Sequence, residues 1–140
     1  MTADPRLDLL PHRPPMRLVE EILDVVPGRS ARGRRATHPD DWYFQGHFPG
    51  NPVVPAAVLV ELLAQTGGFA ACSASDSHLS AQKLRVAAVS GFKFPGAARP
   101  PAVLEAVAHV VGRIGGMTKI EGEVTADGVV VASGSVMLAG

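Results

Sequence analysis

Two side chains able to exchange protons with a substrate stand fourteen residues apart in the stretch "FQGHFPGNPVVPAAVLVELLAQTGG", residues 44–68. His47 is set among Gly46, Pro49, Gly50 and Pro52, residue types that hold a backbone in tight turns. An imidazole fixed in such a turn is suited to removing a proton near neutral pH. Glu61 stands inside an otherwise apolar run. A carboxylate there is costly unless it is paired, hydrogen-bonded or kept neutral. Burial favours its protonated form, an acid able to donate to a leaving group. Gln65 follows at i+4, on the same face of a helix, where its amide can orient the carboxyl group. Each residue also has a plainer reading, Glu61 as a helix residue that reaches water and His47 as a turn residue without a role.

Other chemistries have less support. His12 and His38 sit beside prolines, His78 lies in a polar stretch and His109 alternates within a strand-like run, and no pair has metal-ligand spacing. There is no Walker-type loop and no GxGxxG after a strand. The turn ahead of the apolar run offers no serine or cysteine nucleophile, and no GxSxG occurs. A covalent mechanism is therefore disfavoured. One base and one acid remain, with no metal and no cofactor expected.

The elements that must position this pair can be read from pattern. The chain has 140 residues, which fits one domain over 1–140. Its 46% hydrophobic content suffices for a core, and with only 5% aromatics that core must lean on Val, Leu and Ala. Formal net charge is zero, so nothing biases the chain toward nucleic acid or an anionic membrane. The single cysteine, Cys72, excludes an internal disulfide, fits a reducing compartment and reads as a small buried residue. "MTADPRLDLLPHRPP" lacks the basic start and apolar run of a signal peptide, and no run of roughly 18 apolar residues is free of charge and proline. A cytoplasmic protein is the expectation.

"LDLLPHRPP" reads as a short helical turn stopped by prolines, and "RLVEEILDVVPG" as a strand ended by Pro-Gly. "RSARGRRATHP" is a second, basic strand or exposed ribbon. Pro55 sits where a helix can begin without losing a hydrogen bond. Good helix formers then run to about Ser73, apolar on nearly every face of the first half, which predicts a buried helix. Gly67 and Gly68 weaken that helix or admit a close backbone approach. "KLRVAAVSGFKF", "AVLEAVAHVVGRI", "MTKIEGEVTA" and "VVVASGSVMLA" are Val/Ala-rich runs parted by "PGAARPP", "GG" and "DG", hence strands and hairpins. The sum is α+β, an antiparallel sheet wrapped around one long helix.

The same 44–68 segment resembles the active-site segment of the (3R)-hydroxyacyl-[acyl-carrier-protein] dehydratases of bacterial type II fatty acid synthesis. It shares "GHFPG", the step from His47 to Glu61, and the places of Gln65 and Gly68, while "LPHRPPMRLVEE" is similar to that family's opening. The resemblance implies the hot-dog fold and dehydration to a trans-2-enoyl thioester. His47 would take the C2 proton, Glu61 would assist departure of the C3 hydroxyl, and Gln65 would hold Glu61. The Val53 carbonyl would fix the His47 tautomer, and the Ala56 N–H would polarise the thioester carbonyl. Glu61, rather than Asp, implies the branch that only dehydrates. The resemblance further implies a site completed across a homodimer or trimer of dimers, and acyl carrier protein as the partner.

There are departures. The family usually has Gly where Ala56 stands, and "FKFPGAARPP" replaces its usual turn. Lys93 and Arg99 flank that turn and are candidates to meet the acidic carrier. Arg32, Arg34 and Arg35 form a second basic cluster, better read as a solvated edge. Val58, Leu59, Leu62 and Leu63 are candidate tunnel walls, with core packing the stronger reading. The alternatives are a non-catalytic acyl-binding hot-dog subunit and a hot-dog thioesterase, with a hydratase acting on CoA thioesters ranked below them.

Overall fold

The computed structural model describes residues 4–72 and 84–140, so His78 and the expected helix end near Ser73 lie outside the described residues. Strands β1 (Glu21–Val26) and β2 (Ser30–Ala36) precede the helix α1 (Ala56–Cys72). Strands β3 (Arg85–Lys93), β4 (Val103–Ile114), β5 (Met117–Ala126) and β6 (Val129–Ala139) follow it. All pair antiparallel in one sheet of order β1-β2-β4-β5-β6-β3. This is the helix-in-sheet arrangement expected above, and two strands precede the helix.

Turn chemistry sets the hairpins. Asp127 and Gly128 both take left-handed backbone, φ +48° and +86°, as a two-residue turn matched to strand twist requires. The Asp127 carboxylate accepts from the Val103 N–H at 3.0 Å, tying the turn to the start of β4. Along β5 the even positions Thr118, Ile120 and Val124 are buried against the helix and the odd ones face out. Ala31, Ala106, Ala108 and Ala132 supply small side chains on the same inner face, and Leu59, Leu62, Leu63 and Phe69 of α1 fill the core they enclose.

Two helix glycines permit that close packing. A Cβ on Gly67 would sit 2.9 Å from Ile120 of β5, and one on Gly68 would sit 2.8 Å from Leu10. Of the two readings of the glycine pair, close approach is the one seen.

The three arginines of β2 do not form one patch. Arg32 and Arg34 face outward and pair with Glu105 and Glu21. Arg35 lies on the helix side, donating to the Tyr43 hydroxyl and the Leu18 carbonyl at 3.1 Å each. Strand alternation separates them. The Tyr43 hydroxyl donates to Asp41 at 2.6 Å. Burial works to raise the Asp41 carboxyl, but the Tyr43 hydroxyl, the His38 N–H and Arg35 together hold it below its ordinary value of 3.8. Burial first, and then Asp41, push the Tyr43 phenol up to about 12. A carboxyl depressed in the fold stabilises it above the unfolded value, and this is lost as pH falls through the folded value. Asp41→Asn should therefore lower the melting temperature at neutral pH. The gap from wild type should close below about pH 4, read by thermal unfolding across that range.

Candidate active site

The chain enters the site from the sheet end. A 3₁₀ turn, Trp42–Phe44, buries Tyr43 and Phe44 in the core. The next residues emerge at the surface in a tight loop, with Gly46 at φ +74°, Phe48 at +55° and Gly50 at +83°. Phe48 is a bulky residue in left-handed backbone, a strained state that a surrounding structure must enforce. The His47 N–H donates to Phe44 and the Asn51 N–H to Phe48, closing successive turns. The half-buried His47 ring then lies with Nδ1 2.8 Å from the Val53 carbonyl. A carbonyl only accepts, so Nδ1 carries the proton and Nε2 keeps a free lone pair. That is the form of imidazole that acts as a base.

Glu61 stands on α1 in the stripe Glu61, Ala64, Gln65 and Gly68, spaced i, i+3, i+4, i+7 along one face. Gln65 is fully buried and its amide is used on every side. Its Oε1 accepts from the Leu18 N–H at 2.8 Å. Its Nε2 donates to the Met16 carbonyl at 2.8 Å and to Glu61 Oε1 at 3.1 Å. Those backbone partners fix which end of the amide is nitrogen. The amide therefore presents a donor to Glu61 and also straps residues 16–19 to the helix.

The strap brings a residue whose sequence context had looked plain. His12 Nε2 lies 3.3 Å from Glu61 Oε1, with each side chain a little over a quarter exposed. Arg13 turns the chain there by donating to the Leu10 and His12 carbonyls. Flanking prolines had made His12 look like a loop residue, and its partner is 49 positions away. Its place in the "LPHRPP" opening shared with the resembled family was the one available signal.

A cavity of about 260 Å³ opens beside Glu61, lined by Leu10, His12, Gly68, Leu84, Arg85 and Leu138 among others. Glu61, Gln65, His12 and Arg85 are the polar side chains of its otherwise apolar lining. Val58, Leu59, Leu62 and Leu63 are buried and do not line it, because they face the sheet and the core. Core packing, the stronger of their two readings, is the one seen. A broader concavity of about 540 Å³ lies on the outer sheet face over Val107, His109, Glu121 and Ser135 and contains neither His47 nor Glu61.

Among the described residues no hydrogen bond or ion pair joins His47 to Glu61, and His47 does not border the cavity beside Glu61. Ala56 opens α1 and is exposed, so its N–H is among the first four that a helix leaves without an internal acceptor. Lys93 ends β3 and is exposed. Arg99 donates to the Asn51 side chain at 3.1 Å, and the Val54 N–H donates to the Ala98 carbonyl at 2.8 Å. The altered turn thus packs directly on the His47 loop. No group of three or more His, Cys, Asp or Glu suited to a metal occurs among the described residues, and no described helix is long and apolar enough to cross a membrane.

A helix gripped by one antiparallel sheet, with an acid on the helix and a histidine in the loop that feeds it, defines a hot-dog fold protein. The dehydratase heterocomplex ApeI:P of Xenorhabdus doucetiae has the same fold, with a TM-score of 0.74 at 19% identity over 95% of this chain and 89% of that one. The FabA-like domain model matches residues 10–135, and the chain belongs to the FabA-like family. A 3-hydroxyacyl-[acyl-carrier-protein] dehydratase FabZ of Roseiflexus castenholzii is 34% identical over 94% of this chain and 90% of its own length. Its namesake from Chloroflexus aggregans is 40% identical over 66% of this chain and 62% of its own.

Proposed function

We propose that this protein dehydrates (3R)-hydroxyacyl thioesters carried on acyl carrier protein, giving trans-2-enoyl thioesters for fatty acid or related lipid or polyketide synthesis. The observation that carries the reading is the pair of oriented groups, His47 with its Nε2 lone pair free and Glu61 with one oxygen held by Gln65. The named activity of the relatives supports it. In the step, His47 Nε2 accepts the C2 proton. The C2–H electron pair forms the C2=C3 bond, the C3–O bond breaks, and Glu61 gives its proton to the departing hydroxyl, releasing water. The Ala56 N–H, helped by the positive end of α1, stabilises charge on the thioester oxygen. Gly68 lets Leu10 close on the helix beside Glu61 and so shapes the cavity for the acyl chain.

The base and the acid come from two copies of the chain. His47 and Glu61 lack a contact in one copy. Strand β3 is a sheet edge exposed at every residue but Phe92, with Val86 and Val89 in the open. An apolar edge of this kind calls for a covering partner, and Arg85 and Val86 at its start also border the Glu61 cavity. A second copy on β3 covers the edge and completes the site, giving a homodimer or a trimer of dimers. Lys93 and Arg99 are the proposed contacts for the acidic carrier, and the whole forms one domain working in the cytoplasm.

The test is hydration of crotonyl thioesters on carrier protein and on coenzyme A, followed as loss of the conjugated thioester absorbance. Turnover favouring the carrier-borne substrate is expected. A folded oligomer without turnover at any chain length would exclude the reading, and release of free thiol would indicate a thioesterase instead.

A further inference from the structure

We infer that His12 is a positioning residue for the proposed acid. Its Nε2–H donates to Glu61 Oε1, so that this oxygen is saturated and Oε2 is left as the one that carries the transferable proton. The inference rests on the dehydratase reading above and assigns a part to a residue of the "LPHRPP" loop.

The geometry carries it in three steps. First, the Gln65 amide cannot be turned around, because Leu18 donates to its oxygen and Met16 accepts from its nitrogen. Its second N–H therefore falls on Glu61 Oε1 at 3.1 Å, and that oxygen is an acceptor. Second, His12 Nε2 approaches the same oxygen at 3.3 Å. An uncharged carboxyl oxygen of the C=O kind has two lone pairs and can take both donors. Third, His12 Nδ1 is buried without a hydrogen-bond partner among the described residues. A proton on Nδ1 would leave that buried N–H without an acceptor and would turn a bare Nε2 lone pair toward an oxygen that already accepts from Gln65. The ring therefore keeps its proton on Nε2, where an acceptor waits, and leaves Nδ1 unprotonated.

With both lone pairs of Oε1 engaged, the acidic hydrogen belongs on Oε2. The carboxyl plane is then set by two donors from two different parts of the chain, the helix itself and the loop strapped to it. A carboxyl group held by Gln65 alone could rotate and exchange its oxygens. One held at two points delivers its proton from a constant position, and misplacement of a reacting group by about 1 Å can cost on the order of 10²-fold in rate.

Two variants separate a hydrogen-bond donor from a space filler. Gln places an N–H donor where His12 has Nε2, while Phe keeps the ring and has no donor. His12→Phe should lower kcat for crotonyl-carrier hydration by roughly 10- to 100-fold with KM little changed, and His12→Gln should recover most of that loss. Equal rates in the two variants, or a higher rate in His12→Phe, would overturn the inference. A second readout does not need turnover. In ¹⁵N-histidine-labelled protein, His12 should show the Nε2–H tautomer, with an Nε2 shift that moves in Glu61→Ala. The Nδ1–H tautomer, or a resonance indifferent to Glu61, would overturn the inference even where the enzyme is active. A wild type inert toward every thioester would remove the dehydratase reading and leave the contact to stand or fall on the NMR result.

Discussion

His47→Ala is expected to lower kcat/KM for thioester hydration by roughly 10²–10⁴-fold, the usual effect of removing one proton-transfer group. The variant should fold normally. His47 is only half-buried, its ring hydrogen-bonds to the Val53 carbonyl, and the loop's shape rests on backbone hydrogen bonds and on Gly46 and Gly50. The loss should be in kcat. Glu61→Gln should fall comparably, for a different reason. The amide keeps the shape and can still accept from Gln65, but it has no acidic hydrogen to give. The comparison is steady-state kinetics on one carrier-borne substrate, with thermal unfolding alongside. Either variant within about threefold of wild type would take that residue out of the mechanism.

The second large effect is on stability and comes from a residue far from the chemistry. Gly122→Ala should lower the melting temperature by roughly 10 °C or more, corresponding to about 3 kcal/mol or more of overpacking. Gly122 pairs with Ala108 in the β4–β5 ladder and lies between buried Ile120 and Val124 on the helix side. A Cβ there would lie 2.0 Å from the Val107 carbonyl, 2.8 Å from Leu63 and 3.1 Å from the Ala108 Cα. Two of those neighbours are backbone, so relief requires β5 to part from β4 or α1 to lift off the sheet. Gly112→Ala is the matched control, since a Cβ there meets nothing within 4 Å, and its change should stay within about 0.5 kcal/mol. Similar melting temperatures for the two would show that the helix is not seated as tightly as described.

Elements with strong local signals were legible in the chain. Asp127-Gly128 announced a hairpin because few other residues accept two consecutive left-handed conformations, and the Ala/Leu/Glu/Gln run after Pro55 announced the helix. Long-range features were less so. The Val/Ala composition of β3 resembles that of β4 and β6, yet β3 is exposed almost throughout. Composition reports what could be buried, and position at a sheet edge decides what is. The inward turn of Arg35, against Arg32 and Arg34, follows from period-two alternation but was hidden by the appearance of a basic cluster. His12 was the hardest. Its meaning depends on Gln65 holding residues 16–19 against the helix, a contact between segments 46 to 49 positions apart that no local pattern contains.

The central claim, that His47 and Glu61 form one acid–base site contributed by two copies of the chain, has a direct measurement. His47→Ala and Glu61→Gln proteins, each nearly inactive, are unfolded together in equal amounts, refolded and assayed for crotonyl-carrier hydration. A mixed dimer joins the intact His47 of one copy to the intact Glu61 of the other, making one working site of two. With random pairing the mixture should regain about a quarter of wild-type activity. Activity no higher than the mean of the two separate variants, in a preparation shown to contain mixed dimers, would contradict the account and place the working histidine and acid within a single chain.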